Sequence, residues 1–534
     1  MSTDMKISGN IVDVVQQTIY PGTLRVENGR ITAIDREAGQ YTTFILPGFI
    51  DAHFHIESTL LVPSEFGRLA VGHGTVAVVA DPHEIANVLG IAGIENMIAN
   101  SRQTPLKIYF GAPPCVPATS FETAGATFGP AEIDALLGRP DIRFLSEMMN
   151  YPAVIAGDPQ VEAILRIARK HNKPIDGHAP GLRGEDLSRY IAAGITTDHE
   201  TVDLDEGEEK IAKGMQLIIR EGPAARNFDT LWPLIDRYPE QCMLCSDDIY
   251  PDQLATGHIN TLVRRAVAKG ADIMNVLKVA CVNPVRFYDL DVGLLQPSDP
   301  ADFIVVNNLK NFKIITTCIQ GRFVVEQGRT LLPLTKSAPV RSIYACRKKA
   351  TDFAVKPAGR KIRVIGAIDG QLLTNQIYAA PRIVRGRVVS DPAADVLKFA
   401  VVNRYQVSAA PALGFIRGFG LQQGAIASSV GHDSHNILAI GVTDKALCAV
   451  VNLIIDHQGG LAAVSKNDEL VLPLPVAGLM TNEDCFTVAA RFAALHRFAE
   501  KLGCCLKAQP GAPEKLGGSL SLWQFHCFPC DSVD

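Results

Sequence analysis

The chain has 534 residues, 47% hydrophobic and 20% charged, enough for a large core and too many for one ordinary domain. Its net charge of −5 excludes a basic field that would hold nucleic acid or an anionic membrane, so a small polar partner fits better. No apolar run of about 18 residues is present, and the opening MSTDMKISGN lacks a basic start and an apolar stretch, so neither a membrane span nor a signal peptide is read and a cytoplasmic protein is expected.

Residues 6–48 alternate short β-like runs with Gly and Asn turns, which predicts a small antiparallel sheet. From 49 the texture changes to short apolar strands separated by amphipathic stretches such as DPQVEAILRIARKH (158–171). Strands are expected at 49–55, 75–83, 107–112, 144–150, 175–179, 196–200, 215–221 and 242–248. Eight strands with intervening helices predict an α/β fold, a (β/α)₈ TIM-like barrel over 49–284. The β texture returns near 285 and reads as the other half of the first sheet. The barrel is therefore expected to be inserted in a small β-sandwich domain made of 1–48 together with 285–345. A basic connection at 331–361 leads into a C-terminal α/β domain, 346–534. Twelve cysteines without secretion read as reduced thiols. The C-x-x-C pairs Cys242/Cys245 and Cys527/Cys530 have no matched partner pair for a zinc site and read as structural thiols.

In a barrel of this kind the working side chains sit at the C-terminal ends of the strands. FILPGFIDAHFHIEST (44–59) places His53 and His55 two apart, hence on one face of a strand. Other strand ends carry Asp81 and His83, Glu147, His178, His199, and Asp247 with Asp248. Four histidines, a glutamate and an aspartate at five strand ends are nitrogen and oxygen donors without a thiolate, a set suited to divalent Mn, Fe or Zn. Six donors exceed what one catalytic ion keeps while leaving room for water, so two ions sharing a carboxylate fit the count.

PGFIDAHFH, the later strand-end His, His and Asp, and the flanking β domain resemble the amidohydrolase superfamily. HFHIES, DPHEIANVLG, SEMMNYP, DGHAPG, TTDHE, IREGPAARN and CSDD resemble the bacterial adenine deaminases within it, as does GFGLQQGAIASSVGHDSHNILAIG (418–441). The resemblance spans nearly the whole chain. It implies deamination of adenine to hypoxanthine and ammonia, a purine-salvage reaction, at a site with two divalent ions, Mn or Fe(II) foremost and Zn as a further candidate. It implies that His53, His55 and Asp247 hold the first ion, His178 and His199 the second, and that Glu147 bridges where many amidohydrolases carry a carbamylated lysine. PSDPADF departs from the superfamily's usual Pro-Gly at that turn. A homo-oligomer, a dimer, is the expected assembly.

For such chemistry Asp247 is the candidate to take a proton from water. Asp81, His83 and Glu84 are candidates for substrate contact and proton relay, against the plainer reading of a helix N-cap at DPHE. Glu57 either orients a ligand histidine or caps the next helix. Arg220 and Glu221 either meet substrate or pair with each other, and Asp248, a substrate-contact candidate, either hydrogen-bonds beside the centre or carries a proton. His73 and His171 lie on the wrong rim and read as structural. His432, Asp433 and His435 sit in a small-residue turn that closes the barrel mouth, binds an ion, or shapes a domain interface. Two rivals remain: a cyclic-amide hydrolase of the hydantoinase or dihydroorotase type, and a non-catalytic assembly protein on the same fold.

Overall fold

A computed structural model describes residues 4–119, 121–222, 226–367 and 374–505. Four strands open the chain: β1 (Met5–Asp13), β2 (Thr18–Glu27), β3 (Arg30–Arg36) and β4 (Phe44–Pro47). Eight short strands follow, β5 (Phe49–Phe54), β6 (Thr75–Ala80), β7 (Lys107–Ala112), β8 (Ile142–Met148), β9 (Ile175–Gly177), β10 (Thr197–Asp198), β11 (Gln216–Arg220) and β12 (Cys242–Cys245). Then come β13 (Phe303–Val306), β14 (Ile314–Ile319), β15 (Arg322–Glu326) and β16 (Arg329–Thr330).

Strands β5 to β9 pair in parallel in chain order, and so do β10 to β12. The Thr196 amide reaches the Ile175 carbonyl at 3.2 Å between the two groups. The ring returns on itself where the Asp247 amide donates to the His53 carbonyl (3.1 Å) and the His55 amide to the Asp247 carbonyl (3.0 Å). This is the TIM-like (β/α)₈ fold expected from the sequence. Its strands are buried on both faces, which is why β6 reads TVAVVA with every residue inaccessible. The outer helices show ordinary signals. Pro159–Lys170 begins on Asp158, whose carboxylate accepts from the Gln160 and Val161 amides, and ends on Arg169 and Lys170.

Several strands stop earlier than the sequence suggests, and the reason lies at their ends. Expected 196–200 shrinks to Thr197–Asp198 because the Asp198 carboxylate accepts from the amides of Ala179 (2.8 Å) and Glu200 (3.1 Å), replacing ladder bonds. Lys210, fully buried, neutralises that carboxylate at 2.9 Å, and also bonds Glu206 and the Ala179 carbonyl. His178, His199 and Asp247 thus lie just beyond β9, β10 and β12, on turns pinned by side chains.

Strand β13 pairs antiparallel with β4, Phe303 opposite Pro47, so strands from both sides of the barrel join one eight-stranded sheet. The C-terminal region builds a second eight-stranded sheet in which Leu397–Val402, Ile437–Gly441 and Ala425–Ser428 lie side by side, covered by the helix Asp444–Asp456. Residues 429–436 form the turn between the last two of these antiparallel strands. The region docks on the barrel through Thr481, whose amide donates to the Leu60 carbonyl (2.8 Å) and whose carbonyl accepts from Val62 (3.2 Å). The rings of Tyr250 and Phe492 meet at 5.0 Å, and one hydrophobic core runs from the barrel into this region. No helix among the described residues is long and apolar enough to cross a membrane.

Candidate metal centre

His53 and His55 extend from the end of β5 with their Nε2 atoms 3.2 Å apart. Asp247 Oδ1 lies 3.4 Å from the first and 3.2 Å from the second. The backbone bonds that close the ring carry this carboxylate to that place, with Asp247 held at φ +57°. His55 Nδ1 faces the Asp81 carbonyl at 3.1 Å; a carbonyl only accepts, so Nδ1 carries the hydrogen and Nε2 keeps its lone pair. Below, buried Asp51 accepts from the Ser246 amide (3.1 Å) and pairs with His258 at 3.0 Å, which fixes the end of β12 against β5.

Glu147 ends β8 and faces both ways. Its Oε1 lies 3.5 Å from His55 Nε2, while Oε2 lies 2.6 Å from His178 Nδ1 and 3.2 Å from His199 Nε2. The rings of His53 and His199 stack at 4.0 Å. Glu200 Oε1 is 3.5 Å from His178, and the Glu200 carboxylate forms a two-bond pair with Arg220 (2.6 and 2.9 Å). Arg220 Nη1 also contacts Asp247 Oδ2.

These donors fit divalent ions. Atoms held about 2.1 Å from one ion in tetrahedral directions lie about 3.4 Å apart, the spacing seen among His53, His55 and Asp247. Lone pairs and carboxylate oxygens so close repel unless a cation lies among them. The surroundings draw positive charge: burial opposes a charged His178, yet the carboxylates of Glu200 and Glu147 push it up to about 9.

The helix His83–Leu89 begins beside this cluster. Asp81 accepts from the His83 amide at 3.1 Å, and His83 Nδ1 stands 3.3 Å from Asp81 Oδ2 and 3.4 Å from Glu147 Oε1. His83 Nε2 is 3.3 Å from Glu84 Oε1. Both oxygens of Glu84 lie against imidazoles of the C-terminal sheet, Oε1 against His432 Nδ1 and Oε2 against His435 Nε2, the second an ion-pair contact without hydrogen-bond alignment.

A profile of the amidohydrolase family matches residues 44–324, and one of the adenine deaminase C-terminal domain matches residues 371–510. A protein of Methanosarcina mazei named adenine deaminase is 50% identical over 517 residues, covering 94% of this chain and 93% of its own. Those of Sulfurovum sp. and Salinibacter ruber, of the same name, are each 50% identical over 506 and 509 residues, covering 95% of this chain and 93% of theirs. The chain belongs to the adenine deaminase family. That family is the one the sequence motifs resemble, and the amidohydrolase match carries a metal-binding hydrolase scaffold with it.

Within this adenine deaminase family member, the structure gathers His53, His55, Glu147, His178, His199 and Asp247, with Asp81, His83 and Glu84, about one mouth. Arg220 joins them, though its guanidinium is taken up by Glu200 and Asp247 rather than by Glu221. Glu221 turns away and pairs with Arg265 at 2.7 Å, because the residue after Arg220 projects to the opposite face. Asp248 is half-buried and accepts from Ser58 Oγ. Glu57 takes neither expected role: it accepts from the Ile85 amide (3.1 Å) and so caps the helix His83–Leu89 from outside. His171 pairs with Asp134 at 2.6 Å, and burial, with His258 nearby, lowers His73 to about 4; neither meets the cluster. Cys242 and Cys245 are buried free thiols on β12, while Cys527 and Cys530 lie outside the described residues. Sequence reasoning missed Glu200 and Asp51, although TTDHE and FIDAHFH contain them.

Proposed function

We propose that this protein hydrolyses adenine to hypoxanthine and ammonia at the barrel mouth, using two divalent ions, Mn or Fe(II). The observation that carries the reading is Glu147, whose two oxygens face His55 on one side and His178 with His199 on the other. His53, His55 and Asp247 would hold one ion, His178 and His199 the other, and Glu147 both. Ions bound there would supply a water ionised near neutral pH, its pKa lowered to about 7.

The chain's own groups handle the protons. Burial alone would raise Asp247, but Arg220, His53 and His55 hold its carboxyl well below the usual range, so it stands ionised as an acceptor must. Arg220 orients this carboxylate while Glu200 balances the guanidinium. His83 and Glu84 face the same space; His83 would give a proton to the purine ring nitrogen, and the ionised Glu84 would take one up and pass it to the departing amine. Asp81 fixes the His83 ring, and Asp248 at the rim is the remaining substrate contact. Residues 1–48 with 285–345 make up the small β-sandwich module in this reading, their strands joined in one eight-stranded sheet, and 346–534 the C-terminal α/β module.

Adenine offered to metal-replete protein should yield hypoxanthine, followed by the change in ultraviolet absorbance, with adenosine a poor substrate. No adenine loss alongside turnover of a hydantoin or dihydroorotate would give the cyclic-amide rival the site. Ala replacements of Asp81 and His83 should lower adenine turnover while metal content and melting temperature stay near wild type. If these residues only begin the helix, the melting temperature falls and activity per folded molecule does not. Thermal melts and steady-state kinetics on the same samples separate the two.

A further inference from the structure

Glu84 is 1% exposed, and the barrel offers its carboxylate one imidazole, His83, which Asp81 and Glu147 share. A buried carboxylate needs a partner at each oxygen, since a stranded charge costs several kcal/mol. The groups that face them are His432 at Oε1 and His435 within ion-pair reach of Oε2, on the C-terminal turn some 350 residues later in the chain. Burial would raise the Glu84 carboxyl, but His432, His435 and His83 hold it well below the usual carboxylate range.

The turn that carries the two imidazoles is itself clamped. Arg404 is fully buried, and among the described residues no carboxylate pairs with it. Its Nη1 donates to the carbonyls of His435 (2.9 Å) and Ser429 (3.3 Å), and its Nη2 to the Ala477 carbonyl and Ser342 Oγ (both 2.6 Å). Burial pulls the guanidinium down to about 10, and its four hydrogen bonds tie the turn to the segments around it. Tyr405 donates to the Ser434 carbonyl (2.8 Å), and Asn436 to the Thr123 carbonyl (2.9 Å) on the barrel side. The amidohydrolase match ends at 324, so the barrel of that family does not include this pair.

We infer that His432 and His435 are positioning residues of the active site, holding the Glu84 carboxylate at the barrel mouth so that it acts with His83 on substrate protons. The inference rests on the acid–base reading of Glu84 above. It makes the C-terminal region a builder of the site rather than an appendage. Arg404 holds the builder in place.

The test combines steady-state kinetics on adenine with difference infrared spectra of the full chain. His435→Ala should lower kcat at least about tenfold, with KM within a few-fold and metal content as in wild type. His435→Gln, which keeps a donor near that place, should recover most of the loss. In a Glu84→Gln background the His435→Ala step should cost less than about twofold, because residues acting as a unit are not additive. His432→Gln serves as the second site if the Ala variant does not fold. The spectrum of wild type minus Glu84→Gln should show an ionised carboxylate band, shifted or replaced by a protonated-acid band in the histidine variants. His435→Ala within about threefold of wild type, full additivity with Glu84→Gln, or an unmoved band overturns the inference. Wild type inert toward adenine with a band that does shift would instead strike the deaminase reading and leave the positioning intact.

Discussion

Asp247→Asn is expected to lower kcat on adenine by at least about 10²-fold, the lower end of a general acid–base contribution, with part of the metal retained. The amide keeps the size of the side chain and an oxygen toward His53 and His55, and the backbone bonds to His53 and His55 do not depend on it. It loses the anion that accepts a proton. Arg220 loses one contact but keeps its two-bond pair with Glu200, so the rim should stay ordered. Metal analysis and kinetics on one preparation decide the matter: turnover near wild type at full occupancy removes Asp247 from the proton path.

Glu147→Gln is expected to leave at most about one ion bound per chain. A permanent carboxylate offers two equivalent anionic oxygens to two cations; the amide offers one neutral oxygen and a donor, which cannot balance two dications in so buried a place. The same residue predicts how the site assembles. A carbamylated lysine would need carbon dioxide, whereas a glutamate does not. Metal-free protein should therefore regain activity with Mn or Fe(II) alone, at a rate indifferent to bicarbonate. Native mass spectrometry counts the ions. Two tightly held ions in the Gln variant, or recovery that needs bicarbonate, assigns the bridge elsewhere.

How much of this was legible in the sequence depends on distance along the chain. His53 and His55 were legible because a strand sends i and i+2 to one face, and their Nε2 atoms meet at 3.2 Å at the end of β5. His178, His199 and Asp247 were legible as polar residues closing apolar runs, although the strands end one or two residues before them. Glu221 was misplaced for want of the same alternation that serves His53: beside Arg220 it must face away, toward Arg265. Glu57 was beyond local reasoning because the amide it caps lies 28 residues on, beyond the next strand of the ring. The grip of His432 and His435 on Glu84 has no periodicity to betray it. It exists only once Arg404 and the docking of Thr481 on Leu60 set the C-terminal sheet over the barrel.

The central claim, hydrolytic removal of the adenine amine, is tested most directly by isotope. Metal-replete protein turning over adenine in ¹⁸O-water should release one ammonia for each adenine lost, with hypoxanthine carrying one ¹⁸O at the carbon that bore the amine. Adenine consumed without ammonia, or hypoxanthine free of the label, would contradict it.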